Sequence, residues 1–178
     1  DKYSADALRF FIVSVAAPDS DMNWNDKGVE SSFKFMKKLE KFKDIKLKSS
    51  SKKIESKIHK TIKEVTEDIE NLKYNLTIIK IRSLYDAILQ EGELSKKDGE
   101  SFLKLLYPFC PHLTEELWQN LGNKTFISLS DWPKYNKSKI NEEFDALDQL
   151  EDTVRKDLIS IIKLVKFKPK KATISIAD

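Results

Sequence analysis

Apolar residues along the chain recur with the periods of helices, broken by short polar stretches. Residues 4–17 (SADALRFFIVSVAA) are apolar on nearly every face, a pattern that predicts a helix buried on all sides. Ser4 is placed to cap it, Asp6 sits in the favourable first turn, and Pro18 stops it. A loop (PDSDMNWND) follows, with Asn25 as the next N-cap. Val29, Phe33, Met36, Leu39 and Phe42 then form an amphipathic stripe, and KLKSSSKK (46–53) breaks it as an exposed loop.

From Ile54 the apolar positions Ile58, Ile62, Val65, Ile69, Leu72, Leu76 and Ile79 alternate in steps of three and four, as in antiparallel helix packing. Asn71 and Asn75 favour caps over helix interiors and predict a break between two helices there, the second running to about Leu89. Glu91–Gly92 closes that helix, and Ser95 caps another, with Asp98 three residues on. This helix stops before Pro108, and Pro111 opens a short one ended by Gly122. Residues 125–136 read as a short extended piece and a Trp132-Pro133 turn. A last amphipathic helix spans roughly Glu142 to Val165, and Thr173–Ile176 alternate like a strand. The expected fold is all-α: six or seven helices in a bundle with a short C-terminal strand-like segment. Residues 1–135 are expected to form the bundle, and 136–178 the last helix and the truncated start of an extension.

With four glycines and five prolines in 178 residues, and 40% hydrophobic residues, the composition agrees with long helices around one core. The chain starts without methionine at a helix approach and ends after an unpaired strand pattern, and so reads as a piece of a longer protein. Cys110 is the only cysteine and there are two histidines, so neither an internal disulfide nor a metal site is expected. No apolar run approaches the ~20 residues that span a bilayer, and a cytoplasmic setting is expected. No phosphate loop, nucleophile elbow or distinctive carboxylate pair is present, so no catalytic residue is assigned.

The net charge of +3 hides an uneven distribution. Between Lys34 and Lys63 twelve lysines face only Glu40, Asp44 and Glu55, a local balance of +9 that leaves −6 for the remainder. A second basic run comprises Lys163, Lys166, Lys168, Lys170 and Lys171. Clustered cations suit a polyanionic partner, although charge alone equally describes a solvated lysine-rich surface. Composition and spacing stop at a basic helical bundle.

Two motifs go further. In YSADALRFFIVSVAAPDSDMNWNDKGVE (3–30), Tyr3, Ala5, Asp6, Ala7, Leu8 and Arg9 resemble the segment after the KMSKS loop of class Ia aminoacyl-tRNA synthetases, with Ser4 in place of the usual glycine. Ala17, Pro18, Asp21, Trp24, Asp26, Gly28, Val29 and Glu30 resemble the continuation in the leucyl-type enzymes. In LLYPFCPHLTEELWQNLG (105–122), Pro108, Phe109, Pro111, His112, Glu115, Glu116, Leu117 and Trp118 resemble the bundle signature of the same class, and Trp132-Pro133 falls where the family has its W-P. Residues past Asp152 are similar to the archaeal and eukaryotic form.

The resemblance implies an anticodon-binding-type bundle that docks tRNA (leucine isoacceptors). Leucylation with ATP and Mg would then take place in a catalytic domain outside this chain, with which the first helix forms the junction. It also implies recognition by shape and backbone more than by anticodon bases. The alternatives are the same domain of a valyl-, isoleucyl- or methionyl-type enzyme, or a non-enzymatic helical interaction scaffold.

The RNA-contact candidates are Lys34, Lys37, Lys38 and Lys41, at helical spacing on the face opposite Phe33 and Met36. Trp24 is a candidate for base stacking, or else a cover for the loop–bundle junction. Arg9 is a candidate RNA contact, or else the anchor of an ion pair inside the bundle. Leu117 and Trp118 are expected in the core, and His112 is expected to bond to backbone at a helix start.

Overall fold

The computed structural model describes residues 2–16, 18–165, 171 and 173. These contain seven α-helices: α1 (Ala5–Val15), α2 (Asp26–Leu39), α3 (Lys52–Glu70), α4 (Tyr74–Glu91), α5 (Lys96–Leu106), α6 (Pro111–Asn120) and α7 (Glu142–Leu164). The chain divides into two compact units, residues 1–140 and 141–178.

Helix ends follow the local chemistry. The side chains of Ser4, Asn25, Ser51 and Ser95 accept hydrogen bonds from the backbone N–H groups of Ala7, Lys27, Ile54 and Asp98, respectively, satisfying otherwise orphaned donors. Gly92 ends α4 at φ 72° and Gly122 follows α6 at φ 85°, conformations that glycine adopts without a Cβ penalty. The break between α3 and α4 has Asn71 as C-cap, but the left-handed residue is Leu72, at φ 57°. The backbone N–H of Lys73 donates to the Asp68 carbonyl at 2.7 Å, which closes the turn.

Three expectations about elements are corrected. Residues 46–53 are not one open loop: Lys46–Leu47 (β1) pairs in parallel with Glu93–Leu94 (β2), and α3 already begins at Lys52. Residues 125–136 contain a 3₁₀ turn at Ile127–Leu129 and no strand. Helix α1 is not buried on all sides. Ala7, Phe10 and Phe11 lie in the core, whereas Leu8, Ile12 and Val15 are exposed, because α2, α4 and α6 cover only its inner side. The strand pattern at 172–177 lies outside the described residues, Thr173 apart.

In the first unit, α3 and α4 pack as an antiparallel pair; α1 packs against α2 and α4, α5 against α3 and α4, and α6 against α5 and α1. An aromatic series runs through the core. Phe10 of α1 stacks on Phe35 of α2 at 5.0 Å, Phe35 meets Tyr85 of α4 edge-on at 6.0 Å, and Tyr85 stacks on Phe102 of α5 at 5.4 Å. Phe102 in turn stacks on Phe42, in the 3₁₀ turn Glu40–Asp44 that follows α2. Burying these rings together supplies much of the hydrophobic driving force that joins four helices.

In the second unit, α7 is capped by Asn141, whose side chain accepts from the Glu143 N–H. Its first turn carries Glu142, Glu143 and Asp145, the charge that the positive end of a helix favours.

Candidate RNA-facing surface

The two motifs, about a hundred residues apart in sequence, meet in space. Asp6, 4% exposed, accepts from the backbone N–H of Leu113 in the first turn of α6 and lies 2.8 Å from Nδ1 of His112. A residue of α1 therefore caps α6, and its negative charge sits at that helix's positive end. This corrects the expectation for His112, whose partner is a carboxylate rather than backbone. Arg9 is also corrected: it is exposed and its guanidinium donates to the Pro108 carbonyl at 3.3 Å, instead of forming an ion pair inside the bundle. A carbonyl at the turn before α6 is within its reach, and Asp6, three residues earlier on α1, is taken by α6.

Other motif positions are structural too. Trp118 (5% exposed) and Leu117 (2%) are core residues. Trp118 Nε1 donates to the Thr125 carbonyl, and Glu115 accepts from the Ile127 N–H, so α6 clamps the following segment. Gly28 permits close contact between helices: a Cβ there would come within 2.4 Å of the Phe11 ring. Cys110 is buried, and burial holds its thiol well above its ordinary pKa, which makes it a poor nucleophile.

The lysines lie on α2 and the turn beyond it. Lys34, Lys37 and Lys41 form an exposed run, while Lys38 turns towards α4. Tyr85 fixes this end of α2. Its buried hydroxyl donates to the Lys38 carbonyl at 2.8 Å, adding to the Glu40 N–H that this carbonyl also accepts, and so ties the C-terminal end of α2 to α4. Burial pushes the Tyr85 pKa far up, so the hydroxyl stays a donor.

The stripe differs from its expected form in two ways. Phe35 is the core residue and Phe33 is half-buried; the Lys37 ammonium lies 5.7 Å from the Phe33 ring centroid, because positions four apart share a helix side. The lysines are also partly neutralised, some by neighbours one helical turn away and some by acids distant in the chain. Lys34 pairs with Glu30 at 2.8 Å, Lys37 with Glu40 at 2.9 Å, Lys38 with Asp86 at 2.5 Å and Lys48 with Glu93 at 2.6 Å. Lys41 and Lys43 have no carboxylate in ion-pair range among the described residues. Exposed pairs of this kind are worth little and exchange readily, so the paired lysines stay available to a stronger anion.

Trp24 combines its two expected settings. Its Nε1 donates to Asp26 at 2.8 Å and its ring meets Phe11 edge-on at 5.4 Å, yet 60% of the residue remains exposed. It covers the junction of loop and bundle and still presents a ring face. Among the described residues no group of three or more His, Cys, Asp or Glu side chains converges to hold a metal, and no helix is long and apolar enough to cross a membrane.

Comparison with known proteins agrees with this arrangement. A family model described as the anticodon-binding domain of tRNA ligase matches residues 51–175. The leucine--tRNA ligase of Rickettsia bellii is 38% identical over 151 residues, 78% of this chain and 18% of that protein. The leucine--tRNA ligase of Orientia tsutsugamushi is 40% identical over 151 residues, 79% of this chain and again 18% of that protein. The chain thus spans under a fifth of the length of these curated relatives. Both are bacterial, and they lend no support to the archaeal and eukaryotic sub-assignment. Among solved structures, the Agrobacterium radiobacter K84 agnB2 LeuRS in a ternary complex with tRNA and LeuAMS matches with a TM-score of 0.65 and 20% identity. The match covers 79% of this chain and 21% of that one, and so shares the bundle fold. On the family match and the meeting of its two motifs, the chain belongs to the anticodon-binding domains of tRNA ligases.

Proposed function

We propose that this chain is the tRNA-docking bundle of a leucine--tRNA ligase, acting in the cytoplasm and holding leucine tRNA while a catalytic domain outside the chain joins leucine to its 3′ end. The observation that carries the reading is the lysine run Lys34–Lys37–Lys38–Lys41, held at the C-terminal end of α2 by the Tyr85 hydrogen bond. Backbone phosphates are its natural ligands, and contacts of this kind fix the register of the RNA without reading its bases. The two leucine--tRNA ligases matched above support leucine as the amino acid. The bundle's part in catalysis is positional: binding energy gathered here orients the tRNA at a distant site. ATP and Mg would be used in the catalytic domain, and no step involving them is assigned to residues of this chain. The exposed Leu8, Ile12 and Val15 face of α1 is the seat for that domain.

Titrating fluorescently labelled leucine tRNA with the 178-residue chain at low salt tests this. Saturable binding that weakens steeply as salt rises is expected. The absence of binding at any salt would favour a helical scaffold for protein partners.

A further inference from the structure

A second feature of the bundle adjoins the helix that carries the lysine run. Arg82 of α4 lines a pocket of about 200 Å³ between α1, α2 and α4, whose lining includes Ser14, Ser31, Ser32 and Asn75. Its guanidinium carbon lies 5.0 Å from the Phe10 ring centroid and 4.8 Å from that of Phe35, so the cation contacts both members of the stacked ring pair. The two rings hold the cation in place through cation–π contact.

The charge lacks the partner that burial normally demands. Nε of Arg82 is buried with no hydrogen-bond acceptor. The carboxylate that acts on it from its own helix, Asp86, is bound to Lys38 at 2.5 Å. Among the described residues no carboxylate lines the pocket, whose other polar side chains are hydroxyls and an amide. The Ser14 hydroxyl already donates to the Phe11 carbonyl, but those of Ser31 and Ser32 form no hydrogen bond among the described residues. A half-buried cation without a counter-charge is costly, and an anion in the pocket would relieve that cost. Burial indeed pushes the Arg82 pKa down, and Asp86 offsets this only in part.

We propose that the Arg82 pocket is an oxyanion site that takes a phosphate group, with the guanidinium fork donating to two of its oxygens and the Ser31 and Ser32 hydroxyls assisting. In the tRNA complex the ligand is a backbone phosphodiester, so this assignment builds on the tRNA-docking reading; free phosphate presents the same oxygens. Planar bidentate recognition is the property that distinguishes arginine from lysine here.

The test has two arms. In the first, inorganic phosphate is titrated into the 178-residue chain while the Arg82 Nε–H resonance is followed by NMR, with chloride at equal ionic strength as control. A saturable shift that chloride does not reproduce is expected, as is its loss in Ser31→Ala/Ser32→Ala. In the second arm, tRNA affinity is measured for Arg82→Lys and Arg82→Gln, whose folding is checked by circular dichroism. Arg82→Gln is expected to weaken binding about tenfold and to reduce the log–log salt slope by about 0.9, one phosphate's share. Arg82→Lys should keep the slope but lose most of the affinity. Phosphate binding without any tRNA binding by the wild type would sink the docking reading and leave the pocket standing with free phosphate as its ligand. Normal tRNA binding by both variants, together with an Arg82 resonance indifferent to phosphate, would overturn the pocket and leave the docking reading intact. An Arg82 resonance that answers only to a carboxylate peptide would also overturn the phosphate assignment.

Discussion

At the scale of single residues, the motifs that identify the family serve packing rather than chemistry. Asp6 is the plainest case, a buried carboxylate that caps α6 through Leu113 and holds His112. Asp6→Ala removes the cap and leaves the half-buried Leu113 N–H without its acceptor, and is expected to destabilise the fold by roughly 1–2 kcal/mol. Urea unfolding measures this, and a variant as stable as wild type would contradict the assigned role. Gly28 is the second case, since a Cβ there would press on the buried Phe11 ring. Gly28→Ala is expected to cost about 1–3 kcal/mol through overpacking, opposite in sign to the small gain alanine normally brings to a helix. Thermal unfolding distinguishes the two signs. Neither role was legible in the sequence, where Asp6 looked like a first-turn acid and Gly28 like a motif letter. Both depend on a neighbour supplied by another helix.

At the scale of elements, local chemistry was readable and long-range pairing was not. Ser4, Asn25, Ser95, Pro111, Gly92 and Gly122 mark helix ends in the sequence because a cap or turn involves residues only a few positions apart. The β1–β2 pairing involves two residues on each side, far apart in the chain and too short for any alternation to show. The exchange of Phe33 for Phe35 in the core arises because α2 packs against both α1 and α4, which draws Ser32, Phe35 and Met36 inward. The lysine candidates were found as charges on a helix, but Glu30, Asp86 and Glu93, which pair with members of the basic stretch, lie outside it. Tyr85 was missed entirely, since a hydroxyl inside an apolar stripe gives no sign of its acceptor. Tyr85→Phe should remove one of the two hydrogen bonds to the Lys38 carbonyl, which keeps the Glu40 N–H, at a cost of about 1 kcal/mol, with faster amide exchange confined to the last turn of α2. Exchange unchanged in that turn would free α2 from the proposed anchor.

At the scale of the whole molecule, a lysine-rich surface sits on a core that carries almost no chemistry of its own. One buried group nonetheless makes stability pH-dependent. His59 is 8% exposed and its Nδ1 accepts from the Asn136 N–H, so the ring is neutral and protonated on Nε2. Burial first, and then Lys139, lowers its pKa in the fold, an effect that Asp98 and Glu55 only partly offset. The folded pKa thus lies below the unfolded value of about 6.5. The associated stability is fully present above that value and is lost as pH falls below it, because the unfolded chain then binds the extra proton. Between pH 7 and 5 the wild type should therefore lose more stability than His59→Asn, whose amide oxygen can keep the Asn136 contact; parallel pH profiles would contradict this.

Docking of tRNA depends above all on the lysine run of α2 meeting RNA phosphates, and the salt dependence of tRNA binding tests that most directly. For wild type, a plot of log affinity against log salt should fall with a slope on the order of −3 to −6, the release of counterions from ~4–7 phosphates. Replacing Lys34, Lys37, Lys38 and Lys41 together with glutamine should flatten the slope by about 3 to 4 while the helical content stays the same. A slope that the quadruple variant leaves unchanged would remove these lysines from the interface and contradict the account.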